Sequence, residues 1–248
     1  MKAHKWQILL GFFLIVLSAL FYVVHYFIFR DPHHIFIYLL GDIAFVFFEV
    51  LLVTLVIHEL LSLREKRARF EKMNMVIGTF FSEVGTDLLA VFSDHDTRVG
   101  KIRDQLLMKS DWSEENFSRV TQQIAHYDPK VEILNFDLDG LRGFLSGKRD
   151  FLLRLLENPN VLEHEAFTDV LRAAFHLVEE LAHREKAGDL PEADRRHLAG
   201  DMNRVYRLLL HQWLTYMKYL KKNYPYLFSL ALRTNPFDRN ASPIVQET

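Results

Sequence analysis

Two acidic residues stand where acids are costly. Asp42 and Glu49 lie inside an otherwise apolar run, residues 35–61, IFIYLLGDIAFVFFEVLLVTLVIHELL. Seven apart, they share one face of a helix, separated by about 10.5 Å along its axis at 1.5 Å per residue. A charged side chain at mid-bilayer costs about 2.5–3.5 kcal/mol on insertion scales, so such residues face a bundle interior, a partner or water. Three uses fit: local hydrogen bonding that serves only packing, contact with another helix, or an ion or proton path. Antiparallel pairing of this run with the preceding one about residue 32 sets Asp42 opposite Tyr22 and near His25. That pairing predicts a hydrogen-bonded Tyr22–His25–Asp42 cluster. It sets Glu49 opposite Ile15 with only Ser18 nearby, so Glu49 is expected to meet a second copy or another membrane protein. His58-Glu59, at the inner edge of the run, reads as interfacial side chains, whose apolar stems make such positions cheap.

A second constellation is His176-Leu-Val-Glu-Glu-Leu-Ala-His183. His176, Glu179 or Glu180, and His183 have a spacing that can chelate a metal. A di-metal site in a bundle needs Glu-x-x-His on two facing helices. Glu180-x-x-His183 matches once, and the next helix offers only His197 and Asp201. The apolar stripe Phe167, Val170, Leu171, Ala174, Val178 and Leu181 puts His176, Glu179 and His183 on the opposite, solvated face. They are therefore read as surface groups, and no metal, cofactor or catalytic residue is assigned. His211 reads the same way on the following helix.

Residues 213–232 interleave Tyr216, Tyr219, Tyr224, Tyr226 and Phe228 with Lys218, Lys221 and Lys222. That composition suits a bundle core rimmed by lysines, and equally a helix resting on an anionic membrane. The continuous stripe Met202, Val205, Leu209, Trp213, Tyr216 and Leu220 favours the core.

Composition narrows the function classes. With no cysteine there is no disulfide framework, thiolate metal site or cysteine nucleophile. A net charge of −2 argues against a nucleic-acid partner, which requires a basic surplus. No P-loop, nucleophile elbow, His-Glu-x-x-His or kinase signature is present, and no enzyme activity is expected.

The elements that position these residues follow from hydropathy. Residues 1–61 carry three Lys/Arg and four Asp/Glu. Residues 7–29 carry none, and about 20 apolar residues span a bilayer core. Trp6, Tyr22 and Tyr26 suit its interfaces. The run exceeds the h-region of a signal peptide, and no small-x-small site is followed by a polar mature start. A five-residue loop, Arg30-Asp-Pro-His-His34, joins it to the span at 35–61, giving a two-helix transmembrane hairpin over residues 1–61. Lys2 and Lys5 precede the hairpin, and Arg64, Lys66, Arg67, Arg69 and Lys72 follow it. The positive-inside rule places both termini in the cytoplasm.

Beyond the membrane, Leu63, Phe70, Ile77, Val84 and Val91 recur every seven residues, with Met73, Phe80, Phe81 and Leu88 beside them. That predicts a long helical stalk over 62–93, weakened at Gly78 and Gly85 by about 1 kcal/mol each. A cytoplasmic helical bundle is expected over 94–233. Its helices are placed at about 97–109, from Ser113 to before Asp128-Pro129, from Asp137 to Glu157, at about 163–187, and from Pro191 to Tyr224. A short apolar segment, 226–232, follows. Val131–Phe136 is the best candidate strand. Residues 234–248, with Pro236 and Pro243, read as a disordered tail. The fold class is all-α.

Phe80-Phe-Ser-Glu-Val-Gly-Thr-Asp-Leu88, after a two-span hairpin, looks like the phosphoacceptor helix of sensor histidine kinases. That family has His-Glu where this chain has Thr86-Asp87, and no ATP-binding domain follows, so phosphotransfer does not carry over. Residues 58–84 and 223–238 resemble segments of bacterial two-span membrane proteins without an assigned activity. The resemblance implies a bacterial inner (plasma) membrane and no reaction. The expected function is a non-enzymatic signalling or scaffolding component whose bundle binds a partner. The alternative is an oligomeric ion or proton channel lined by Asp42 and Glu49. Expected partners are the lipid bilayer and either a second copy or another membrane protein.

Overall fold

The structure, a computed structural model, describes residues 2–184 and 190–245, with backbone alone at 2–5, 7 and 8. Residues 185–189, where the helix expected at 163–187 was to end, lie outside that description. The described residues are all-α, and the expected strand at 131–136 reduces to a single bridge between Asp96 and Val131. Contacts divide the chain into two units, residues 1–66 and 67–248.

In the first unit, α1 (Lys2–Phe29) is followed by α2 (Pro32–Phe80), which begins here and ends in the second unit. The turn is tighter than pairing about residue 32 requires. Arg30 takes a positive φ of 52°. The Asp31 carboxylate accepts from the backbone N–H of His33 at 2.9 Å and of His34 at 3.4 Å, so Pro32 already opens α2. Proline suits a first helical turn because its missing N–H has no partner there anyway. Side chains from Leu9 to Leu61 are exposed almost throughout. The two helices touch beside the turn, through His25, Phe29 and His34.

In the second unit, the later part of the expected stalk (62–93) is built into the bundle core from Met73 onward. α2 leads into a π-helical turn, Phe81–Gly85, and then α3 (Thr86–His95). From Met73 onward this helical run is core: Met73, Ile77, Phe80, Val84, Leu88 and Phe92 are buried. The heptad series predicts this only in part. Leu63 and Phe70 are exposed, before the buried stretch begins at Met73. Val91 is exposed because the π turn at Phe81–Gly85 holds one more residue than an α turn and advances the buried face after it by one position. Burial therefore falls on Phe92 instead of Val91. Gly78 has a packing reason: a Cβ there would lie 2.5 Å from the Tyr216 hydroxyl oxygen.

The remaining helices start where their caps dictate. The expected helix at 97–109 breaks into a 3-10 turn, Val99–Lys101, and one turn of α4 (Arg103–Leu106). There the Asp96 carboxylate instead ties the backbone of Arg98 to that of Lys130. α5 (Glu114–Ala125) begins at a capping box formed by Ser113 and Asn116. α6 (Leu138–Leu156) is capped by Asp137, and a short α7 (Pro159–Leu162) by Asn158. α8 (Glu165–Ala182) buries the whole predicted stripe from Phe167 to Leu181. α9 (Glu192–Asn223) is the central helix, packed against α3, α5, α8 and α10 (Pro225–Arg233). α8 also packs against α6.

The C-terminal residues are not a disordered tail as far as Val245. Asn235 and Phe237 are buried. The Asn235 amide donates to the Leu106 carbonyl at 2.8 Å, the Phe237 carbonyl accepts from Arg103 at 3.1 Å, and the Phe237 ring meets Trp213 edge-on. Fully burying a Phe is worth about 1.5–3 kcal/mol, enough to hold a segment whose prolines suggested disorder. Residues 246–248 of the expected tail lie outside the described ones.

Candidate functional site

The polar residues of the apolar run do not converge. His25 faces His34, with Nε2 and Nδ1 3.4 Å apart, and not Asp42. The predicted Tyr22–His25–Asp42 cluster is absent among the described residues because the turn comes earlier than that pairing requires. Asp42 and Glu49 are exposed on α2, with no hydrogen-bond or ion-pair partner among the described residues.

The chemistry-bearing side chains that do converge come from α8 and α9. His176 and Glu180, four apart, share one edge of α8, and His197 and Asp201, four apart, share one edge of α9. One ligand atom from each lies within 4.8 Å of the other three. His176 Nε2 is 3.7 Å from Glu180 Oε1 and 3.4 Å from Asp201 Oδ2. His197 Nε2 is 3.5 Å from Glu180 Oε2 and 3.4 Å from Asp201 Oδ2. The histidines are about half exposed, whereas Asp201 is 4% exposed.

Arginines hold both carboxylates. Arg184 donates to Glu180 Oε2 at 2.8 Å and forks onto Asp194 at 2.7 and 2.8 Å. Its guanidinium holds both carboxyls below their usual range, and they raise its own pKa in turn. Arg204 Nη1 lies 3.3 Å from Asp201 Oδ1. The other oxygen, Asp201 Oδ2, is buried with no hydrogen-bond partner among the described residues.

The sequence reading named all four residues but sought a different motif. Of the other residues whose spacing could chelate, Glu179 pairs with Arg149 and His183 turns back to the Glu179 carbonyl. The missed signal was symmetry about the α8–α9 connection. His176 with Asp201, and Glu180 with His197, are equally spaced about the point between residues 188 and 189. Antiparallel helices therefore bring each pair to one level.

Most of the aromatic–lysine segment is core with a charged rim, while Tyr226, Leu227 and Leu230 are exposed. Tyr216 stacks on Phe81, Phe228 is buried, Lys218 pairs with Glu114, and Lys221 donates to the Ser110 carbonyl. His211 is half-buried, and burial together with Arg207 lowers its pKa.

Comparison with known proteins divides the chain near the same place. Residues 2–61 match the family described as MJ1433, N-terminal helical domain, and residues 69–233 the one described as Uncharacterized protein MJ1433, C-terminal helical domain. Uncharacterized protein MJ1433 of Methanocaldococcus jannaschii is 45% identical over 247 residues, covering 100% of this chain and 99% of that protein. No solved structure matches. The relative is archaeal, and the expectation of a bacterial family finds no support in it. By matches that cover both halves of its sequence, the chain belongs to the MJ1433 family of helical proteins.

Proposed function

We propose that this protein is a non-enzymatic integral membrane component with a signalling or scaffolding role. In this reading α1 and the first part of α2 cross the plasma membrane as a hairpin, both termini are cytoplasmic, and the helical bundle binds a partner. The observation that carries it is exposed apolar surface. Phe12, Phe21, Phe27, Phe47, Val50 and Leu60 are each more than half exposed, in helices long and apolar enough to span a bilayer. Soluble monomers rarely expose contiguous apolar patches beyond a few hundred Å², whereas a helix satisfies its own backbone in lipid. The basic residues from Arg64 to Lys72 set the orientation.

Alkaline carbonate extraction tests the reading. The protein is expected to stay with the membrane pellet until detergent is added; release into the supernatant would rule the hairpin out.

A second reading, an oligomeric ion or proton channel, is favoured by one observation: Asp42 and Glu49 share a face of α2 and are exposed without partners among the described residues. Liposome flux that disappears in the Asp42→Asn/Glu49→Gln double variant would support it. A monomeric mass in nanodiscs would exclude it.

A further inference from the structure

We propose that His176, Glu180, His197 and Asp201 form a zinc site that staples α8 to α9, independently of any membrane role. Two features separate this cluster from a polar surface. The first is ligand geometry. Nitrogen and oxygen ligands about 2.0–2.1 Å from a tetrahedral zinc sit about 3.3–3.4 Å from each other. Here both Nε2 atoms lie 3.4 Å from Asp201 Oδ2 and His176 Nε2 lies 3.7 Å from Glu180 Oε1, while His197 Nε2 is 3.5 Å from Glu180 Oε2, the oxygen that Arg184 holds. The second is the orphaned oxygen. Asp201 Oδ2 is buried, and both imidazole Nε2 atoms approach it at 3.4 Å without making a hydrogen bond. A buried carboxylate oxygen left unsatisfied is costly, and a cation at the common focus of these atoms satisfies it.

The surroundings select the kind of ion. Two imidazoles disfavour magnesium and calcium, which take oxygen ligands, and favour a borderline transition cation. Each carboxylate has one oxygen engaged by an arginine, Arg184 on Glu180 and Arg204 on Asp201. The other oxygen of each, Glu180 Oε1 and Asp201 Oδ2, remains for the metal. Such outer contacts orient ligands and tune affinity. Four protein ligands fill a tetrahedral shell, which is the pattern of a structural zinc site. Each helix contributes a pair four residues apart, so one ion crosslinks the two helices at the ends that residues 185–189 connect.

The test uses the full chain in detergent, stripped with chelator and titrated with Zn²⁺ alone. Calorimetry should show one saturable site per chain, and Co²⁺ should give the intense visible bands of a tetrahedral complex, abolished by added zinc. His197→Gln and His176→Gln should each weaken binding by about 100-fold or more and abolish the rise in melting temperature that zinc gives the parent. Both sites are exposed, so these variants should fold even where Asp201→Asn does not. His183→Gln and Glu179→Gln should bind as the parent does. Absence of a saturable site, or parental affinity in both histidine variants, would overturn the proposal.

Discussion

Asp96 joins two stretches of chain distant in sequence. Its Oδ1 accepts from the backbone N–H of Arg98 and of Lys130, each at 2.9 Å, and its Oδ2 from the Tyr127 hydroxyl. Burial and that bond push the Tyr127 phenol well above its ordinary pKa. Asp96→Ala leaves these donors unpaired in a buried site, and should destabilise the protein by about 3 kcal/mol, read as a lower melting temperature. His211 gives the fold a pH dependence. Its pKa lies below the usual 6.5 when folded, so the unfolded chain takes up the proton first. Stability is complete above about pH 6.5 and falls as pH drops toward the folded value. His211→Gln should flatten that part of a melting-temperature profile while leaving the loss at carboxylate pH, where Glu180 and Asp194 protonate away from Arg184. At this scale the sequence was informative about residue types and silent about partners. His176 looked like surface because its face lies opposite the apolar stripe of α8, yet a face beside a helix–helix contact is only partly solvated.

At the scale of elements, local chemistry decided the boundaries. Ser113 and Asp137 start helices where their types predict. Ser113→Ala should destabilise by about 1 kcal/mol by removing a cap, visible as faster amide exchange at the start of α5. Two features were not legible. The π turn at Phe81–Gly85 shifts the buried face mid-helix, and no heptad count can anticipate a phase change that packing imposes. The C-terminal segment carries prolines and polar residues, yet Phe237 packs against Trp213 and buried Asn235 bonds the Leu106 carbonyl. Phe237→Ala should destabilise by about 3 kcal/mol and expose residues 234–245 to proteolysis; unchanged protease resistance would count against that anchoring.

For the whole molecule, what joins the two units is a single helix, α2, that starts among exposed apolar side chains and ends in the bundle core. Charge distribution was legible at this scale because it needs no tertiary contact: positive residues flank the apolar segment, and the turn holds Arg30 beside Asp31. If α1 and the first part of α2 form the proposed hairpin, the turn and the bundle lie on opposite sides of the membrane. The chain has no cysteine, so single cysteines report on it without background. In sealed right-side-out vesicles an impermeant maleimide should label His33→Cys and leave Arg119→Cys untouched until the membrane is opened. Labelling of Arg119→Cys before opening, or protection of His33→Cys throughout, would contradict the account.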